Sequence, residues 1–250
     1  MEPYREYLYF DKPIPYKDLL IYPVKMKDYI PFHIHVNCLL LDKNSINDIN
    51  VISMPYLKFL YHISEVNQEP YVYMFRMLLC LVLQLDEKTE MHFYVRDNKA
   101  FFSIKGVEYD SDDFDNISKI IMLQNCIEPI DYTIQKEIRD ELAKAEMIKS
   151  QMNNNKICSL EEQMICVMIT TPLKLEDIYE LTIRKFEKTL KRVDAKMHYE
   201  IYLSASLSGF VEFKNKDAIQ YWMNEFKGDK YSDVTMEMEQ MKNKINEINK

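Results

Sequence analysis

A chain of 250 residues with 47% apolar and 29% charged side chains can bury a sizeable core, which excludes an intrinsically disordered protein. Its formal net charge of −8 excludes a general nucleic-acid binder, because phosphate contacts need a basic surface, but not a local basic patch. The most apolar run, 71–85, is too short to span a bilayer and contains Arg76, and MEPYREYLYF lacks the layout of a secretory signal. A protein with no membrane segment is therefore expected.

The five cysteines are scattered, odd in number and without a C-x-x-C pair. Cys38, Cys80 and Cys166 lie inside apolar runs, so reduced core thiols in a cytoplasmic setting are expected.

Taken in order, residues 1–24 carry Pro3, Pro13, Pro15 and Pro23 among tyrosines. Proline keeps such a segment out of helix interiors and central strands, which predicts extended edge pieces and a strand over 19–24. From Lys27 to about Asp42 the pattern reads as one helix, then 44–50 as a polar loop and 55–64 as a short helix. Pro70 suits the first turn of a helix over 71–85, apolar nearly all round and so central. Alternation at Met91, Phe93 and Val95, the Asp97-Asn98 pair, and alternation again over 100–107 predict a β-hairpin. Asp110 and the carboxylates after it suit a helix start, with Phe114, Ile117 and Ile121 on the buried face. Residues 134–151 read as a charged helix, and MNNNK at 152–156 as a linker.

Ser159 and Glu162 form an S-x-x-E capping box, Pro172 interrupts, and a long helix is expected from about Leu175 until Gly209. Phe186, Leu190, Val193, Met197 and Ile201 share one face of it. A short strand at 211–213 and a helix over 217–226 carrying Trp222 follow. Val234, Met238, Met241, Ile245 and Ile248 then recur at heptad spacing over barely two heptads. The expected fold is α+β, mainly α-helical with a small β-hairpin component. Residues 1–151 form an N-terminal α+β region with the hairpin at about 91–108, and 152–250 a helical C-terminal region with an amphipathic tail.

Signals for chemistry are poor. His33 and His35 face apart on a helix and lack a third ligand at metal spacing. The cluster Asp110, Asp112, Asp113, Asp115 fails the calcium-loop pattern, since its sixth position is Asp115 and its twelfth Ile121, which leaves a helix cap. Three scattered glycines cannot build a phosphate-cradling loop, and no nucleophile or metalloprotease motif appears. A non-enzymatic protein without cofactor or metal is expected. One alternative is a helix-turn-helix-like segment at 159–192, with Arg184, Lys185, Lys188, Lys191 and Arg192 as phosphate contacts of a DNA-binding regulator. Against it, these cations alternate with Glu176, Asp177, Glu180 and Glu187 as on any solvated face.

Four phrases carry a resemblance: YFDKPIPYKDLLIYPVKMKDY at 9–29, VEYDSDDFDNISKIIMLQN at 107–125, LTIRKFEKTLKRVDAKMHYEIYLSASLSGFVEF at 181–213 and IQYWMNEFKGDKYSDV at 219–234. Together they resemble tail-assembly chaperones and baseplate hub assembly proteins of tailed bacteriophages. The resemblance implies a non-enzymatic protein that binds other tail or baseplate proteins, in the host cytoplasm during assembly or retained in the virion tail, with homo-oligomerisation open. It supplies no site residues. The expected partner-facing side chains are Tyr4, Tyr7 and Tyr9 on the N-terminal arm and Val234, Met238, Met241, Ile245 and Ile248 on the tail, chosen for amphipathicity.

Overall fold

A computed structural model describes residues 4–46, 48–130, 158–209 and 219–224, with helical positions at 137, 138, 140–142, 144 and 145. It is an α+β fold, mainly helical, with two small antiparallel sheets. The chain divides into two compact units, Met1–Ile130 with Cys166–Lys191, and Asp131–Ile165 with Arg192–Lys250.

The first unit begins with a short helix α1 (Arg5–Tyr9) and a hairpin, β1 (Ile14–Tyr16) with β2 (Leu19–Ile21), in register Ile14↔Ile21. Four helices follow: α2 (Tyr29–Val36), α3 (Ile49–Ile52), α4 (Tyr56–Asn67) and α5 (Tyr71–Val82). The helix expected from Lys27 to Asp42 is instead three pieces, with 3-10 turns at Met26–Asp28 and Asn37–Leu39 around α2. Pro31 sits in the first turn of α2, where its missing N–H costs nothing. At the other end Asn37 Nδ2 takes the His33 carbonyl at 3.0 Å, which favours a tightened last turn.

The expected hairpin is present and larger than foreseen. Strands β3 (Met91–Arg96) and β4 (Lys99–Ile104) pair around Asp97-Asn98, both at positive φ, the geometry a two-residue turn requires. A second tight turn at Lys105-Gly106, again both positive, adds β5 (Val107–Tyr109), giving the order β3-β4-β5. Helix α6 (Ser111–Gln124) starts immediately after it.

An aromatic stack holds sheet and helices together. Phe75 of α5 lies with its ring centroid 4.7 Å from Phe114 of α6 and 5.5 Å from Phe102 of β4, and Phe102 stacks on Tyr109 of β5 at 5.1 Å. All four are essentially excluded from solvent. Offset and edge-on pairs of this kind add to the large apolar area each ring removes from water. A smaller cluster of Val51, Phe59 and Ile63 closes α3 against α4.

Beyond the helical positions at 137–145 come α7 (Leu160–Thr170), α8 (Leu175–Glu180) and α9 (Ile183–Leu207). The capping box at the start of α7 is formed, with Ser159 N donating to Glu162 at 2.8 Å and Glu162 N donating to Ser159 Oγ at 3.2 Å. The bend at Pro172 and the stop at Gly209 (φ +73°) stand where the residues place them. The single helix expected from Leu175 is broken at Leu181-Thr182. There Met26 N donates to the Leu181 carbonyl at 2.8 Å, and Ile183 N donates to the Val24 carbonyl at 2.9 Å. Thr182 Oγ1 then caps α9 by accepting from Lys185 N at 3.2 Å. Pairing with the extended 24–26 segment outweighs the helical preference of two residues.

Two further expectations change. Cys38 and Cys80 are buried as free thiols, but Cys166 is exposed, because α7 buries only Val167. Trp222 stands in a turn within the described 219–224, not in a helix. The Arg192 guanidinium takes the Trp222 and Asn224 carbonyls at 2.6 and 2.8 Å, and with them acceptors that a continuing helix would use.

Candidate interaction surface

A groove of about 470 Å³ lies between α2 and α5, lined by Asp28, His35, Met77, Cys80, Leu81 and Glu87 among others. Its chemistry is weak. Burial pushes the Cys80 thiol up, away from the thiolate a nucleophile needs, and the Arg76 charge only partly offsets this. Burial pushes His35 down despite the opposing charge of Glu87, and His35 Nδ1 is buried without a hydrogen-bond partner. His33 instead stacks on Tyr29 at 5.6 Å. Among the described residues no group of three His, Cys, Asp or Glu side chains is placed to hold a metal ion.

The acidic cluster is spent on structure. Asp110 accepts from the Asp112 and Asp113 amides at 3.0 Å each, and Asp113 returns a bond from the Asp110 amide at 3.1 Å. Burial alone would raise the Asp113 carboxyl. The Lys17 ammonium at 2.5 Å and the Tyr16 hydroxyl at 2.8 Å outweigh it and hold the group below the usual range. These bonds tie the β1–β2 turn to the start of α6.

The aromatic arm is docked. Leu8 is buried, Lys185 Nζ donates to the Tyr9 carbonyl at 2.7 Å, and Thr182 Oγ1 donates to Asp11 at 3.2 Å. Of the expected contact residues there, Tyr4 and Tyr9 are exposed and Tyr7 half-buried, with Tyr4 and Tyr7 edge-on at 6.4 Å. Phe10 extends the same exposed aromatic surface. The tail residues Val234, Met238, Met241, Ile245 and Ile248 lie outside the described residues.

The basic side chains of 184–192 are largely committed. Arg184 donates to the Leu123 carbonyl at 3.1 Å, Lys185 to Tyr9, and Arg192 to the two carbonyls of the Trp222 turn. Lys25 and Lys27 close on Glu180, whose carboxyl their hydrogen bonds and charges push down to about 2. Each of the two longer helices also leaves apolar side chains in water. On α7, Ile165, Met168 and Ile169 are exposed, Ile169 by 78%; on α9, Met197 is exposed by 49% and Ile201 by 59%.

Sequence pattern places Met197 and Ile201 on one face of the helix with Phe186. Only Phe186 is buried. Length was the available signal: 25 residues at 1.5 Å each outrun what one small core can cover.

Residues 149–227 match the family model of the YomV second domain, a phage-derived family associated with the SPBeta prophage. The match takes in α7, α8 and α9, the helices that carry these exposed apolar side chains. It is consistent with a phage protein. No curated protein and no solved structure matches the chain. No helix among the described residues is long and apolar enough to cross a membrane.

Proposed function

We propose that this is a non-enzymatic bacteriophage protein that acts in tail or baseplate assembly by binding other phage proteins. The observation that carries the reading is that α7 and α9 each leave large apolar side chains exposed, inside the segment that matches a phage-derived family. Large apolar side chains left in water along helices are the ordinary material of helix-face recognition. The exposed tyrosines of the arm add a second adaptable surface. The protein binds its partners in the host cytoplasm and either leaves before the particle is complete or stays in the tail.

The DNA-binding reading is the poorer one. Three of its five cations, Arg184, Lys185 and Arg192, hold backbone carbonyls of this chain. A tagged copy recovered from infected cells should bring down tail or baseplate proteins, with purified virions blotted alongside. A virion band identifies a resident subunit, and its absence an assembly factor. Recovery of no tail component overturns the proposal.

A further inference from the structure

The groove between α2 and α5 carries one carboxylate towards each end and apolar side chains along its walls. Asp28, Pro31 and His35 follow at three- and four-residue steps, so one face of α2 and the residue before it lines the groove. Met77 and Leu81, four residues apart, line it from α5. Seven helical residues set Asp28 and His35 about 10 Å apart along the axis. Glu87 belongs to the His35 end: its charge reaches His35 and Cys80, and Arg76 Nη2 donates to its carbonyl at 2.8 Å. Asp28 is not among the charges that shift His35.

Both carboxylates lack a counter-ion. Among the described residues neither Asp28 nor Glu87 closes a salt bridge or a side-chain hydrogen bond, and Lys27, next to Asp28, spends its ammonium on Glu180 at 2.9 Å. No lysine or arginine lines the groove. Burial favours the neutral imidazole of His35, so at neutral pH it supplies no opposing charge.

We propose that this groove binds a linear aliphatic diamine in its doubly protonated form, one ammonium on Asp28 and the other on Glu87. The methylene chain then covers Pro31, Met77 and Leu81, whose apolar surface would gain nothing from a compact, fully hydrated cation. A monoamine satisfies one end and leaves the other carboxylate bare. A lysine side chain of a partner protein does the same, because its far end is a neutral peptide unit. An anionic ligand meets repulsion at both ends. Asp28 is half-buried and Glu87 exposed, so each contact is modest and a dissociation constant on the order of a tenth of a millimolar to a millimolar is expected. Such binding is independent of the partner proteins proposed above.

Isothermal titration calorimetry of the full chain at neutral pH and low ionic strength tests this. The probes are 1,4-diaminobutane, 1,6-diaminohexane and 1,8-diaminooctane, with 1-aminohexane and Nα-acetyl-lysine methylamide as single cations. The longer diamines should bind about tenfold or more tighter than either single cation, and 1,4-diaminobutane, too short to span the ends, more weakly than they do. No binding by any diamine, or binding no tighter than that of 1-aminohexane, overturns the proposal. A lysine derivative that matches the diamines overturns the two-ended reading. Asp28→Asn and Glu87→Gln remove no bond within the chain, so each should leave the thermal unfolding curve in place. Each should lower diamine affinity about tenfold, to the level of the monoamine. Diamine affinity unchanged in both variants places the ammonium groups elsewhere on this acidic protein and overturns the assignment of the groove.

Discussion

At the scale of single residues, buried polar groups carry most of the specificity. Asp113 joins the α6 cap to Lys17 and Tyr16, so removing it breaks two elements apart at once. Asp113→Ala should cost about 2 kcal/mol, read as a lowered urea midpoint with an unchanged slope. His35 behaves oppositely. Its folded state disfavours the proton, and Glu87 across the groove only partly relieves this. The unfolded chain therefore binds more protons below its ordinary value of about 6.5, and stability falls as pH drops through that point. Urea midpoints at pH about 7.5 and about 5 should differ less in His35→Leu than in the parent chain, since that variant cannot take up the proton. Neither role was legible beforehand. Asp113 reads as one of several first-turn carboxylates, and His35 as half of a histidine pair, because partners far along the chain, Tyr16 and Lys17 for the one and Glu87 for the other, leave no mark in local sequence.

At the scale of elements, caps and turns were the most legible features. Ser159 and Glu162, Asp110, Asp97-Asn98 and Gly209 act through their immediate neighbours, so pattern and outcome agree. Gly106 shows what a single residue permits: at φ +84° it turns β4 into β5, and a side chain there meets no atom within 4 Å. Gly106→Ala should therefore cost only the backbone penalty, about 1–2 kcal/mol, with the loss seen as faster amide exchange in 107–109 before the rest of the unit. The break at Leu181-Thr182 was not legible, since its cause is a pairing with Val24 and Met26. Thr182→Ala removes both the α9 cap and the bond to Asp11, and should lower stability by about 1–2 kcal/mol in the same urea assay.

At the scale of the whole molecule, charge and surface point the same way. A net charge of −8, with three of the five candidate phosphate contacts holding carbonyls, predicts no measurable affinity for duplex DNA at about 0.15 M salt. Fluorescence anisotropy with a labelled duplex checks it, and salt-sensitive binding lost in Lys188→Ala with Lys191→Ala would revive the regulator reading. The surface is instead marked by apolar helix faces, in the segment related to a phage-derived family.

Sequence by itself determined the fold class, the central apolar helix α5, the hairpin and the helix ends, because each depends on periodicity or on bonds spanning a few residues. Tertiary structure decided which apolar side chains are core. Phe186 and Ile201 share a stripe and a periodicity, yet one is buried and the other is exposed by 59%. Burial requires a surface to pack against, and a helical pattern records only which face is apolar, not how far along the helix a neighbouring element reaches.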